Sequence, residues 1–392
     1  MILGIDASNI RAGGGLTHLA ELLAAARPES DGFSRVVVWG GSATLARLAD
    51  QPWLVKAAQP ELALGLLRRS WWQYRRLSRL ARQAACDVLL VPGGSYAGTF
   101  RPVVSISQNL LPFEWREMRR FGWSGMTLKL MLLRLTQGRT FRGSDGIIFL
   151  TQYARETVLK SIGGTGALTA IIPHGIAPRF SHPPRVQQDM AQYAMENPIR
   201  ILYVSIVDVY KHQDKVARAV AMLRDEGLPI RLDLVGPAYP PALTRLKKTL
   251  EALRLDGDGV IYHGAVAYQD LPAHYAHADV FLYASSCENL PIILLEGMSA
   301  GLPTASSNRG PMPEVLGDAG VYFDPENPED IASALRKLLA SPALRTQLAQ
   351  AVADRAQGYS WRQCSAETFS FLARVAQGQS FGSAERKFSQ HD

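Results

Sequence analysis

Three cysteines in 392 residues are too few, and too scattered, to hold this chain together. Cys86, Cys287 and Cys364 show neither the spacing of a zinc site nor the number a disulfide framework needs, which points to a reducing cytosol. Long hydrophobic runs are also missing. No stretch of about 18 uncharged apolar residues offers a bilayer span. The opening MILGIDASNI lacks the basic n-region of a signal peptide and has the makeup of a first strand. No repeat with a period of about 20–50 residues is visible. The glycine loop at 10–16, IRAGGGL, fits neither a P-loop nor a dinucleotide fingerprint, which argues against an α/β dehydrogenase.

What is present is ordinary globular material, 47% hydrophobic and 20% charged, in a chain longer than one core usually supports. Two domains are therefore expected. Charge is uneven between the halves. Residues 1–178 carry 21 Lys+Arg against 11 Asp+Glu, or +10; the remainder carries 21 against 24, or −3, giving the total of +7. An anionic surface or acceptor facing the first half would account for this. Within each half, apolar strand-like runs such as RVVVW (35–39), DVLLVP (87–92), ILYVS (201–205) and DVFLY (279–283) alternate with amphipathic helical stretches. That pattern predicts two doubly wound, mainly parallel α/β sheets.

The chemistry concentrates at 284–303, ASSCENLPIILLEGMSAGLP. A buried strand ends at Tyr283, a polar turn follows, Pro291 opens a helix and Gly301 closes it. One acid, Glu288, precedes the helix N-terminus and a second, Glu296, lies within the helix. Free N–H groups at that terminus suit phosphate, while the flanking carboxylates suit hydroxyls. Sugar, diphosphate and ribose of a nucleotide sugar would match in that order. Cys287 beside Glu288 has no nearby histidine in sequence and reads as a small buried thiol.

The pair Glu288 and Glu296, with seven residues between them inside S-x-x-E-N-L-P-I-I-L-L-E-G-M-S-A-G-L-P, resembles the E-x7-E motif of group 1 retaining glycosyltransferases (family 4). The resemblance covers roughly residues 1–375. It implies a GT-B fold: two Rossmann-like domains facing an interdomain cleft. The expected divisions are an acceptor-side domain at 1–178, a nucleotide-sugar domain at 179–358, a helix crossing back at 359–376, and a disordered tail at 377–392. It implies catalytic roles for Lys211 and Glu288, the first on the diphosphate and the second on the donor sugar. Glu296 would hold the ribose. Asn289, Leu290, Pro291, Ile292, Val266, Gly14 and Gly15 would complete donor binding. Gln108 and Asn109 stand where many relatives carry His-Asp, and with His174 they are expected on the acceptor or sugar side. Ser205-Ile206 replaces a customary G-R pair, leaving Lys211 as the main cation. His18, on the first helix, is expected to be structural.

No metal and no cofactor beyond the GDP- or UDP-linked sugar are expected. Asp256-Gly257-Asp258 reads as a turn rather than a D-x-D metal motif. Basic, aromatic segments at 66–83 and 115–142 suit an anionic membrane surface, with an amphipathic helix near 126–135. The expected reaction moves a hexose to a lipid-linked or polysaccharide acceptor, as in lipopolysaccharide O-antigen or exopolysaccharide synthesis, at the cytoplasmic face of the inner membrane. A nucleotide-sugar epimerase, a catalytically silent GT-B partner and a nucleic-acid-binding protein remain as other readings. The last two would explain the missing histidine and arginine.

Overall fold

The computed structural model of the chain describes residues 1–11, 13–255 and 257–378. Asp256 of the D-G-D turn and the tail beyond Gly378 therefore lie outside the described residues. The fold divides into two compact units. One comprises residues 1–113, 128–175 and the chain from 361; the other comprises 114–127 and 176–360.

The first unit is built on a seven-stranded sheet: β1 (Ile2–Asp6), β2 (Arg35–Gly40), β3 (Leu54–Ala58), β4 (Val88–Val91), β5 (Val103–Ile106), β6 (Gly146–Phe149) and β7 (Leu168–Ile171), in the order β3-β2-β1-β4-β5-β6-β7. Every pairing is parallel. Strands such as VLLV and GIIF are buried along their whole length, as a sheet covered on both faces requires. β3 has no counterpart in the sequence reading. It is a half-exposed edge strand carrying Lys56, and edge strands dilute the apolar signal with charge. The last helix, Trp361–Ala376, packs on this unit through Phe369 against Phe33, with ring centroids 5.9 Å apart.

The second unit holds a six-stranded parallel sheet: β8 (Ile199–Val204), β9 (Ile230–Val235), β10 (Val260–Gly264), β11 (Val280–Tyr283), β12 (Thr304–Ser307) and β13 (Val321–Phe323), ordered β10-β9-β8-β11-β12-β13. In both sheets the strand order reverses once, between β1 and β4 and between β8 and β11. Ligands of open α/β sheets bind outside the carboxyl ends of the strands at such a reversal.

The segment at 66–83 is helical throughout but changes pitch. Leu66–Trp72 is α-helical, Gln73–Leu77 forms a π-helical turn, and Ser78–Gln83 resumes the α-helix. Its aromatic residues separate cleanly: Trp72 is fully buried in the core, whereas Trp71 and Tyr74 are exposed. Among the described residues, no helix is long and apolar enough to cross a membrane.

Candidate active site

The loops after β8 and β11, the strands flanking the reversal in the second sheet, place Lys211 against Glu288. The Lys211 ammonium forms an ion pair with the Glu288 carboxylate. It also lies 3.2 Å from the Tyr283 hydroxyl, which donates to the same carboxylate oxygen at 2.7 Å. Tyr203 donates to the Lys211 carbonyl at 2.7 Å and fixes that backbone from below. Burial and the nearby Glu288 charge hold the Tyr283 phenol well above its ordinary pKa, so it remains a donor. The Cys287 thiol is likewise raised well above its usual value by burial and by Glu288, so it carries no activated thiolate.

Glu296 lies on the helix Ile292–Ser299 and is almost wholly buried. The next residue explains how close that helix comes to the sheet. A Cβ at Gly297 would fall 2.5 Å from the Phe281 ring of β11, so only glycine permits the contact. Tyr275 donates to one Glu296 oxygen at 3.0 Å and Tyr268 to the other at 3.3 Å. Desolvation pushes the Glu296 pKa up to about 7, with the two tyrosine hydrogen bonds opposing the shift. Arg179 stacks on the Tyr268 ring at 4.3 Å. Of the amides expected to cradle phosphate, the Ile292 N–H donates to Leu290 O at 2.9 Å. Asn289 and Leu290 are buried beside it, Pro291 caps the helix, and Val266 is half-buried on the loop after β10.

A second layer supports this pair. Glu117, from the 114–127 segment, is buried and accepts a 2.6 Å hydrogen bond from Ser286, two residues before Glu288. The single Ser286 proton is thus committed. The neutral His212, pushed down to about 4 by burial and by Arg120, must therefore donate its Nε2–H to Ser286 across 2.9 Å. Arg120 binds Glu117 through two nitrogens at 2.7 and 3.2 Å and also pairs with Glu326 at 2.9 Å. The Ser286 N–H donates to Tyr210 O at 2.9 Å. These bonds tie the turn carrying Glu288 to the turn carrying Lys211.

A family model described as "Glycosyl transferases group 1" matches residues 186–355, the span that holds Lys211, Glu288 and Glu296. Over that span the chain matches the group 1 glycosyltransferases. The GDP-mannose-dependent alpha-(1-6)-phosphatidylinositol monomannoside mannosyltransferase of Mycobacterium tuberculosis is 28% identical to this glycosyltransferase over 290 residues, 71% of this chain and 69% of that protein. The O-antigen chain mannosyltransferase B of Escherichia coli is 36% identical over 107 residues, 27% of this chain and 28% of that protein. The solved structure of sucrose-phosphate synthase from Thermosynechococcus elongatus matches with a TM-score of 0.72 at 15% identity, covering 97% of this chain and 100% of that one. At such identity the likeness concerns architecture alone, and that architecture is GT-B.

In the first unit a separate cluster gathers at the carboxyl end of the sheet. Gly14 opens the first helix, Gly14–Ala24, and a Cβ there would meet open space. A Cβ at Gly15 would sit 3.3 Å from the Gln108 side chain. The Gln108 amide is 3.0 Å from His18 Nδ1, and the His18 ring stacks on His174 with centroids 4.2 Å apart. Trp361 closes the stack at 5.6 Å from His174. Burial lowers His18 to about 4 and His174 well below its ordinary value, so both are neutral. Asn109 is exposed, and its side chain caps the Leu111 N–H at 3.2 Å instead of joining the cluster.

Several residues of this arrangement were absent from the sequence reading. Tyr268, Tyr275 and Tyr283 read as ordinary strand and helix aromatics, and Glu117 sits in a basic segment far from the motif. Tyr275, Tyr283 and Glu117 share a polar tip on a buried residue, which a one-dimensional pattern does not display, and Tyr268 is exposed.

Proposed function

We propose that this glycosyltransferase moves a mannose-type hexose, with retention of configuration and without a metal ion, from a GDP- or UDP-linked donor to a lipid-linked or polysaccharide acceptor. The observation that carries the proposal is the convergence of Lys211 and Glu288 at the strand-order reversal, eight residues ahead of the buried Glu296. In the unliganded arrangement Glu288 neutralises Lys211. A donor diphosphate would take over the ammonium and free the Glu288 carboxylate for sugar hydroxyls. Lys211 would then stabilise the charge growing on the departing nucleoside diphosphate, the main catalytic requirement of such a transfer. Glu296 would exchange the long Tyr268 contact for ribose hydroxyls, which a carboxylate accepts well. Asn289, Leu290, Pro291 and Val266 would line the donor. Gly14, Gly15, Gln108 and His174 would serve the donor phosphate and acceptor from their own unit.

The relatives support the choice of sugar and acceptor: both named mannosyltransferases act in glycolipid or O-antigen contexts. The surface supports a membrane partner. On the helix Gly125–Gly143, Leu128, Met131, Leu132 and Leu135 are all exposed, at the spacing that places them on one stripe. Lys129 and Arg139 flank it, and Trp71 and Tyr74 are exposed with Arg75 about their rings. Such a stripe suits the headgroup region of an anionic bilayer, at the cytoplasmic face of an inner membrane.

A panel of nucleoside diphosphates and their sugars, screened by thermal shift and then by transfer of labelled sugar, tests the reading. A selective ligand raises the melting point of the state it binds. Indifference to every nucleotide would sink the donor assignment. Failure to sediment with anionic liposomes at low salt would remove the membrane assignment.

A further inference from the structure

The second sheet carries an unexpected group of charged residues at its other end. β8 and β9 are interior strands, yet each carries an arginine at its second position, on the same face. Arg200 and Arg231 are register partners, side by side across the sheet. Like charges placed directly across neighbouring strands destabilise a sheet unless something balances them. Of the two nearby carboxylates, Asp233 pairs with Arg231, while Asp279 accepts the Arg200 backbone N–H at 2.9 Å and not its guanidinium. Asp233 accepts from Arg231 at 3.2 Å and from His263 Nε2 at 2.8 Å. The Arg200 guanidinium has no hydrogen bond or ion pair among the described residues, although Arg200 is only partly exposed.

The helix covering this face, Leu271–His277, is too short to fill it, about 10 Å long. It leaves a concavity of about 210 Å³ lined by Arg200, Arg231, Asp233, His263, His274 and His277. That volume equals roughly seven waters. His274 packs edge-on to His263 at 5.1 Å, and its ring nitrogens have no hydrogen-bond partner among the described residues. His277 uses Nδ1 on Ala273 O at 2.6 Å, leaving Nε2.

We propose that this concavity is a binding site for a small phosphomonoester or inorganic phosphate, distinct from the donor site. The uncommitted Arg200 guanidinium, beside Arg231, offers N–H donors to a tetrahedral oxyanion, and arginine favours bidentate recognition of phosphate. The His274 imidazole adds a further donor. Asp233 orients Arg231 and His263. The volume admits a phosphate with a small sugar but not a nucleotide sugar. The concavity lies at the amino-terminal end of β8, whereas Lys211 follows its carboxyl end, so one ligand cannot occupy both.

Titration of the whole protein with inorganic phosphate, a hexose phosphate and sulfate, at ionic strength matched with chloride, tests this by thermal shift and calorimetry. Phosphate or the hexose phosphate should stabilise the wild type, and the tighter of the two identifies the natural source. Arg200→Ala should weaken that binding about ten- to hundredfold, as loss of a charge-assisted hydrogen bond does. If Arg200→Ala does not fold, Arg200→Gln, which keeps the stem, replaces it. Lys211→Ala should leave this response intact while losing the response to nucleoside diphosphates, so failure here and failure of the donor assignment are distinguishable. The proposal is overturned by an equal phosphate response in Arg200→Ala, by a response lost only in Lys211→Ala, by equal binding of sulfate, or by no response at tens of millimolar phosphate.

Discussion

Replacing Glu296 with glutamine should stabilise the protein and impair its function in the same molecule. The carboxyl is buried, and its pKa stands at about 7 against an ordinary 4.5. The unfolded chain therefore releases this proton near pH 4.5, while the folded protein keeps it until about pH 7. Across that window the folded state binds more protons, so the stability contributed by the protonated acid falls as pH rises. The shift corresponds to about 3 kcal/mol, lost by pH 8. Glutamine is neutral throughout and nearly isosteric, and Tyr268 and Tyr275 can turn their hydroxyls to meet its amide. The difference in stability between Glu296→Gln and wild type should thus be small at pH 5 and reach about 3 kcal/mol in favour of the variant at pH 8. In melting temperature this is on the order of 5–10 °C for a unit of this size. Donor affinity should move the other way, falling about ten- to hundredfold with loss of a charge-assisted bond to ribose. Thermal and denaturant midpoints of both proteins at pH 5 and pH 8, with nucleoside diphosphate binding at pH 8, settle the matter. A stability difference that does not change with pH would falsify the buried, titrating carboxyl.

Other perturbations follow from the same geometry. Lys211→Met should lower kcat by about 10²–10³, as removal of a leaving-group stabiliser does. It should also destabilise the protein by about 1–3 kcal/mol, because the partly buried Glu288 loses its partner. Steady-state kinetics showing only a raised KM would contradict the catalytic role. Glu117→Gln should reduce kcat more than KM by loosening Ser286 and His212, and Glu117→Asp should restore less than the wild-type rate; an unchanged enzyme would show that the network is not positioning the site. His18 is held at about 4, below its ordinary 6.5, so the unfolded chain takes up that proton first and stability is lost as pH falls from about 6.5 to 4. His18→Phe should flatten that acid loss, worth about 3 kcal/mol, when unfolding is followed across the range. Leu132→Glu should cut liposome binding without altering transfer to a short soluble acceptor.

The legible parts of this protein were those with one-dimensional periodicity. Runs such as VLLV and DVFLY are uniformly apolar because both faces of a parallel sheet are covered, and they marked most strands to within a residue or two. The helix at 292–299 was legible from Pro291 and Gly301, although proline proves to cap it instead of occupying its first turn. Edge strand β3 was not legible, since half exposure mixes Lys56 with its apolar residues. That Lys211 and Glu288, 77 residues apart, belong to one site came from the resemblance; their direct ion pair was not expected. The tyrosines around Glu296 and the link from Glu117 to Ser286 were beyond reach. They are long-range contacts between residues that are individually unremarkable in sequence. His18 passed as a core residue because burial on a helix face is what the pattern shows, and only the fold reveals the stack with His174.

The backbone passes from one compact unit to the other at 113/114, 127/128, 175/176 and 360/361. Genetic dissection of this enzyme is therefore unsuited to a simple cut. A fragment ending near residue 178 would keep Glu117 and Arg120 but lose Ser286 and Glu326, and would lack the helix that packs beside Phe33. The complementary fragment would carry a Ser286 with no carboxylate to meet. Chimeras that exchange donor preference between relatives should instead swap four-junction modules, carrying the 114–127 insert with the carboxyl-terminal sheet and the closing helix with the amino-terminal one.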